Sequence, residues 1–300
     1  MREKIIKLLY KLFPFSLKGD AAVCEASPDI DVSCMIITYG RPKLLSCILS
    51  CLADQDLECE RFEVIVVEDK GGTEEGEALC LEFRDRINLV YLPAKEGFGL
   101  PGRLRNMGLE ASCGRYILFL DDDTIILERN FLRELVRTFK ENREIDAVLP
   151  RGKASYSVIE GRYSFHDPHF FTNRGVAYRR EVLRELGGFV SDFVGQEDVE
   201  FTIRFLAAGK RAARSEALWY MHPPLILNSL RKPMAVGVSF ARLRKRYPLI
   251  VWLACVINSS RYLPLILFPS IKMRMQGRFS LGFFLGVLFY PFLKNRISYG

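Results

Sequence analysis

The sequence predicts an α/β protein built on a mostly parallel, doubly wound sheet, and three observations carry that prediction. Apolar runs of strand length alternate with helix-length amphipathic segments from Asp31 to about residue 149, the pattern that buries a parallel sheet between two helical layers. The run Tyr116-Ile117-Leu118-Phe119-Leu120, bounded by Gly114 and Arg115, leads straight into Asp121-Asp122-Asp123. It reads as a buried strand whose carboxyl end carries three acids. Open α/β sheets bind ligands in the crevice beyond those strand ends. The third observation is charge. The chain of 300 residues carries +7 overall, yet no Asp or Glu follows Glu216, so residues 217–300 hold +12 and residues 1–216 hold −5.

Taken in order, residues 1–18 read as a helix with Ile5, Leu8, Leu9, Leu12 and Phe13 on one face, Arg2, Lys4, Lys7 and Lys11 on much of the rest, and Pro14 at its end. The apolar part is too short and too interrupted to span a bilayer, which predicts an in-plane amphipathic helix. Residues 19–30 read as a linker. Val32–Thr38 is the first strand, and Pro42 opens a helix to about Ala53. Phe62–Val67 is a strand ending in Glu68-Asp69, followed by the turn Lys70-Gly71-Gly72 and an acidic helix from about Thr73 to Arg86. Leu89–Leu92 is a short strand. The loop Gly97–Gly102 precedes a helix from about Arg103 to Ser112, then comes the central strand, a helix over 128–140 and a strand over 145–149. Beyond it the pattern loosens. Strands are expected near 155–159 and 162–166, helices near 179–186 and 196–208, and a short strand over 217–221 that ends at His222.

Several residues invite chemistry. Three adjacent carboxylates repel one another and favour a divalent counter-cation, and hard oxygen ligands suit Mg²⁺ or Mn²⁺. Asp69 closes its strand at the same sheet edge, where a carboxylate can accept from a nucleobase or ribose; a turn-capping role is the plainer alternative. The loop Gly97–Gly102 lacks the Gly-Lys-Ser/Thr ending of a P-loop. Arg103 and Arg105 after it could face a diphosphate. Glu197 and Asp198 open a helix, where acids complement the helix dipole. They are also candidates for a general base that activates a hydroxyl. His222, at a strand end, could complete a metal site begun by the aspartates. His166 and His169 fall in a loop. Eight cysteines without a C-x-x-C pair read as reduced thiols of a cytosolic compartment rather than a disulfide frame.

At this point seven pieces of sequence resemble the family 2 glycosyltransferases, inverting enzymes of the Rossmann-like GT-A fold. They are Ile36–Pro42, Val64–Asp69, Arg105–Gly108, Phe119–Asp123, Ala177–Arg180, Leu186–Phe189 and Glu197-Asp198, in family order over roughly residues 32–222. The resemblance implies that Thr38 and Tyr39 border the nucleoside of a nucleotide-sugar donor and that Asp69 holds its base. Arg41, Arg105, Asp121 and Asp122 join the donor side, Asp122 near the ribose or sugar. Asp123 would bind the divalent metal, Mn²⁺ or Mg²⁺, with His222 as a further contact. Asp198 would be the base that deprotonates the acceptor, with Glu197 beside it. Departures stand at Ile37, Gly40, Glu68 and Lys70-Gly71, where the family commonly has Pro, Asn, Asp and Gly-Ser.

The basic tail completes the reading. Arg242, Arg244, Lys245 and Arg246 precede an apolar stretch from Pro248 to Ile271, which Asn258–Arg261 and Pro264 interrupt, and a shorter one runs from Phe279 to Leu293. Basic residues flank both stretches on both sides, and a hairpin would carry the basic linker across the bilayer. In-plane or re-entrant helices on an anionic membrane surface are therefore expected, a single span or hairpin being the alternative. Lys and Arg interleaved with long aliphatic runs argue against nucleic acid as the partner. The sequence is thus divided into a membrane-surface helix and linker (1–30), a catalytic domain (31–230) and a basic membrane-associated region (231–300). The expected activity is inverting transfer of a sugar from a nucleotide-diphosphate donor to a membrane-linked, polyprenyl-type glycan on the cytoplasmic face. A nucleotidyltransferase, or a non-catalytic membrane scaffold with a transferase fold, are the rival classes.

Overall fold

The computed structural model describes residues 2–96, 99–154, 175–192, 197–223 and 229–293. Seven strands make one sheet: β1 (Val32–Thr38), β2 (Phe62–Glu68), β3 (Leu89–Pro93), β4 (Tyr116–Asp121), β5 (Ala147–Ala154), β6 (Val176–Arg179) and β7 (Ala212–His222). Their order is β3-β2-β1-β4-β6-β5-β7. β3, β2, β1 and β4 pair in parallel. β6 runs against both β4 and β5, and β5 pairs in parallel with β7, so β6 is the one reversed strand among the described residues. The registers Thr38↔Glu68 and Ile37↔Asp121 bring the carboxyl ends of β1, β2 and β4 level at one edge.

The central strands β1, β2 and β4 are buried nearly throughout, as a sheet covered on both faces requires. Alternation sorts their side chains. Val32, Cys34 and Ile36 of β1 join the layer of α2 (Pro42–Ala53), α3 (Glu74–Phe83) and α5 (Phe131–Glu141). Met35 of β1 with Ile117 and Phe119 of β4 joins the layer of α4 (Pro101–Ala111), α6 (Arg180–Leu186) and α7 (Glu197–Ala207). Leu45, Ile48, Leu49 and Leu52 give α2 one apolar face at helical spacing. Gly187 ends α6 in the left-handed region, φ 65°, where a glycine is favoured.

The sequence pattern gives no strand at Val176–Arg179. Four residues carry too little periodicity to register, and the segment is a strand because β4 and β5 pair with it. β7 is longer than expected, reaching back to Ala212, because β5 pairs along it from Ala147↔Ala212 to Ala154↔His222. The strands expected near 155–159 and 162–166, and with them His166 and His169, lie outside the described residues.

A further helical layer stands beside α7. It consists of α1 (Arg2–Leu12), α8 (Arg231–Arg242), α9 (Leu249–Ser260), α10 (Ile271–Leu288) and α11 (Tyr290–Leu293). Ile6 of α1, Val199 and Ile203 of α7, Phe240 of α8, Val251 of α9 and Phe283 of α10 share one cluster. Residues 19–21 form a strap along the end of α6: Gly19 N–H donates to Leu186 O at 2.7 Å and Ala21 N–H to Gly187 O at 2.8 Å. All eight cysteines are free thiols.

Candidate active site

Asp121 is the last residue of β4 and His222 the last of β7. The two strand ends are brought together by a two-hydrogen-bond bridge, Ile125 N–H to Met221 O at 2.9 Å and Met221 N–H to Ile125 O at 2.8 Å. That bridge sets His222 beside the turn that carries Asp123. His222 Nε2 lies 3.3 Å from Asp121 Oδ2 and 3.0 Å from Asp123 Oδ1. Its Nδ1 lies 2.7 Å from the Pro223 carbonyl oxygen. A carbonyl only accepts, so Nδ1 carries the proton, and in the neutral ring the Nε2 lone pair faces the two carboxylates. Asp123 Oδ1 is buried and receives no hydrogen bond. Two carboxylate oxygens and an imidazole nitrogen turned toward one another are the donor set of a cation site. The donor types suit a divalent ion such as Mn²⁺ or Mg²⁺. The backbone carbonyl that fixes the tautomer is the support such ligands ordinarily have.

The three aspartates thus divide differently from the expected arrangement. Asp121, expected on the donor side, sits with Asp123 and His222 in the trio that could hold a metal. Asp122 turns away and is buried, taking a hydrogen bond from Thr38 Oγ1 at 2.8 Å and one from Arg41 at 3.2 Å. Burial pushes its carboxyl pKa up, and the Thr38 hydroxyl and the Arg41 guanidinium pull it part of the way back. Arg41 also lies 3.9 Å from Asp123, so one guanidinium spans the turn.

At the end of β2 a network forms that the sequence hides. Glu68 accepts from Tyr91 OH at 2.6 Å, Thr73 Oγ1 at 3.0 Å, Thr73 N–H at 3.1 Å and Gly40 N–H at 3.2 Å. It therefore fixes the β1–α2 turn, the start of α3 and the edge strand at once. Burial and the Glu68 carboxylate push the Tyr91 phenol well above its ordinary pKa. Asp69 accepts from Lys70 N–H at 2.7 Å and Gly99 N–H at 2.8 Å, tying Gly99 to the end of β2. Lys70 takes φ 55°, a conformation L side chains rarely adopt, and its Nζ stands 4.3 Å over the half-exposed ring of Tyr39. The departure Glu68 could have been flagged from sequence as a carboxylate with room for four donors; Tyr91 and Thr73 gave no signal.

Opposite the aspartates, Glu197 and Asp198 begin α7. Glu197 is buried against Arg105 of α4 in an ion pair, and Arg105 reaches to 3.8 Å from Asp121. Arg105 therefore stands between the acid pair and the aspartate edge. Arg103 points the other way and pairs with exposed Glu96 at 3.0 Å. Asp198 Oδ1 accepts from Val199 N–H at 2.7 Å in the first turn of its own helix. The Tyr178 phenol is pushed far up by burial and then by the charge of Asp198, with Arg105 opposing. Asn106 holds the loop that frames this side, exchanging two hydrogen bonds with the Phe189 backbone at 2.8 and 2.9 Å. Two of the separated motifs, Arg105–Gly108 and Leu186–Phe189, are therefore one contact in space.

α7 is anchored from behind. Arg204 donates to Glu200, to Leu186 O at 2.8 Å, to Gly188 O at 2.9 Å and to Leu17 O at 3.1 Å, and both side chains of the pair are fully buried. Tyr247, just before α9, donates to Glu200 at 3.0 Å.

Comparison with known proteins identifies the family and the fold. The model of glycosyl transferase family 2 matches residues 33–218. Poly(ribitol-phosphate) beta-N-acetylglucosaminyltransferase TarS of Staphylococcus aureus is 33% identical over 199 residues, covering 63% of this chain and 35% of that protein. Hyaluronan synthase of Pasteurella multocida is 25% identical over 269 residues, covering 74% and 28%. The chain therefore spans about a third of the length of these curated relatives. Among solved structures, S. aureus TarS 1-349 in complex with UDP-GlcNAc superimposes with a TM-score of 0.58 at 21% identity, covering 85% of this chain and 80% of that one. The mannosyltransferase PcManGT of Pyrobaculum calidifontis, in complex with GDP-Man and Mn²⁺, gives a TM-score of 0.61 at 15% identity and covers 97% and 96%. At these identities the structures speak for the fold, which is GT-A. With β2 to β6, the aspartate-bearing strand end and the α7 acids inside the matched region, the chain belongs to glycosyl transferase family 2.

Proposed function

We propose that the protein is a metal-dependent, inverting hexosyltransferase that moves a sugar from a nucleotide-diphosphate donor to a lipid-linked, polyprenyl-type glycan at the cytoplasmic face of a membrane. The observation that carries the reading is the Asp121, Asp123 and His222 trio, whose ligand atoms all lie within 4.8 Å of one another, with a buried Asp123 oxygen that accepts no hydrogen bond. Asp121, Asp123 and His222 would hold the ion, and a bound Mn²⁺ or Mg²⁺ supplies charge neutralisation on the departing nucleoside diphosphate. The nucleoside side is then Thr38, Tyr39, Arg41 and Asp69, and Asp122 steadies the turn through Thr38 and Arg41.

Arg105 stands within reach of both the aspartate edge and Glu197, and it contributes a fixed positive charge where the diphosphate would lie. Asp198 is the base that takes the acceptor hydroxyl proton, because Glu197 is committed to Arg105. Attack from the α7 side, opposite the leaving diphosphate, inverts the anomeric centre. Residues 31–230 form the catalytic unit in this reading, with 1–30 and 231–300 as its membrane-associated parts.

Thermal stabilisation against a panel of nucleoside diphosphates, with and without Mn²⁺, tests the proposal. A metal-dependent shift with one nucleotide is expected, worth about 2.7 kcal/mol when the nucleotide is a hundredfold above its Kd. The absence of a shift with every nucleotide would point to a non-catalytic member of the fold.

A further inference from the structure

The exposed apolar side chains are organised. α1 buries Ile6 and leaves Ile5, Leu8 and Leu12 in solvent, an outward stripe at helical spacing. α9 repeats the arrangement, with Val251, Cys255 and Val256 inside and Leu249, Leu253 and Ile257 outside. The two helices pack on the same cluster, and the Phe15 ring stands edge-on to both Tyr10 and Tyr247, joining the segment after α1 to the segment before α9. Leu267, Phe268, Ile271 and Leu288 extend the exposed apolar surface from the segment before α10 to its end. Exposed Lys4, Lys11, Arg244, Lys245, Arg274 and Arg278 lie along these same elements, and no acid occurs after Glu216.

We infer that α1 and the helices from α9 onward form one composite face that docks in the plane of an anionic phospholipid bilayer without crossing it. The inference deepens the membrane part of the proposed function and rests on it. Length argues against crossing. The helical run Leu249–Leu267 is apolar and long enough to span by composition, but its α-helical part ends at Ser260. Twelve residues of α-helix measure about 18 Å, against a hydrocarbon core of about 30 Å. The chain then turns into a 3-10 segment, Leu263–Leu267, that folds back on α10, where a Cβ on Gly277 would overlap the Ile266 backbone. Ser280 Oγ donates to Ser259 O at 3.0 Å and closes the fold-back. α10 is long enough, but Arg274 and Arg278 lie exposed in its first half.

Charge selects the occupant. Lys and Arg in excess over a single acid, Glu3 of α1, which pairs with Lys7 at 2.6 Å, set beside large aliphatic and aromatic side chains, fit an anionic headgroup layer over acyl chains. Two copies of this face would repel each other. The face also shares α7 with the site: Val199, Ile203 and Ala207 enter the common cluster, while Glu197 and Asp198 begin the same helix. A bilayer on this face would thus lie behind the helix that carries the acceptor-side acids.

The test is vesicle flotation of the full chain, using phosphatidylcholine vesicles with and without phosphatidylglycerol. Two variants accompany it, Leu8→Glu with Leu12→Glu on α1, and Leu253→Glu with Ile257→Glu on α9. Binding is expected only with phosphatidylglycerol, to be released by alkaline carbonate, and to fall by roughly tenfold or more in each variant, since each loses two apolar contacts and adds two like charges. Retention after carbonate would overturn the in-plane geometry. Unchanged binding of the α1 variant would overturn the composite face. No affinity for either vesicle, with the chain a stable dimer or captured by an acidic protein, would overturn the bilayer as occupant. Circular dichroism melting verifies that the variants are folded. The metal-dependent nucleotide shift, read on the same samples, separates the two proposals: its loss in the unaltered chain sinks the proposed function, while loss of flotation alone sinks only the docking face.

Discussion

At the scale of single residues, the site is a set of carboxylates made unequal by their partners. Asp123 is the one with a buried oxygen that accepts no hydrogen bond. Asp123→Ala is expected to abolish sugar transfer and the metal dependence of nucleotide binding while leaving the fold intact; near-normal turnover with Mn²⁺ present would refute the assignment. The α7 acids should part company for a similar reason. Asp198→Asn is expected to lower kcat by about 10²–10⁴-fold, the usual worth of a general base, with the donor KM little changed. Glu197→Gln releases Arg105 and should raise the donor KM as well. Steady-state kinetics on both variants check this, and identical effects would count against separate roles. Lys70 shows a different economy. It sits where the family commonly has glycine and keeps a glycine-like φ of 55°, holding its ammonium over Tyr39. The sequence flags that position as a departure but does not reveal that the backbone conformation is retained.

Among elements, α7 matters most, because it faces the site at its first turn and the helical layer along its length. Glu200 and Arg204 are both fully buried, and an ion pair without water is costly to break from one side. Glu200→Ala, which strands Arg204, is expected to destabilise the protein by about 3–5 kcal/mol. Tyr247→Phe removes a single hydrogen bond to a carboxylate that Arg204 still satisfies, for about 1–2 kcal/mol. Denaturant unfolding of the two variants measures the difference, and equal losses would mean that Tyr247 rather than Arg204 carries the anchor. α8 and α10 meet by another device. A Cβ on Gly237 would overlap the Phe283 carbonyl and one on Gly286 the Met234 carbonyl, so the two backbones cross in contact, as small residues allow. The periodicity of the tail suggests helices but says nothing of this crossing.

For the whole molecule, the question is whether the catalytic sheet and the helical layer are one cooperative unit. They share α7, and the strap at residues 19–21 ties α1 to the end of α6. Thermal unfolding in mild detergent is expected to be a single transition, with calorimetric and van't Hoff enthalpies equal; two separated transitions would make residues 231–300 an independent domain. Much of this architecture was legible in the sequence, for a physical reason. The strands β1, β2 and β4 are buried on both faces, so each is a nearly continuous apolar run, broken inside only by the hydrogen-bonded pair Ser33 and Glu63, and the carboxylates Glu68 and Asp121 end β2 and β4. Strand identity, the level sheet edge and the family motifs all follow from that local rule. What only the tertiary structure decided depends on pairs far apart in the chain. β6 is a strand because its neighbours pair with it, and Asp121 joins Asp123 because the Ile125–Met221 bridge sets His222 between them. Glu68 is a hub because Tyr91, Thr73 and Gly40 converge on it. α1 and α9 lie far apart in the chain yet bury their inward faces in the same cluster. Periodicity records which residues are apolar, whereas the partner each one meets is fixed only when the chain has folded.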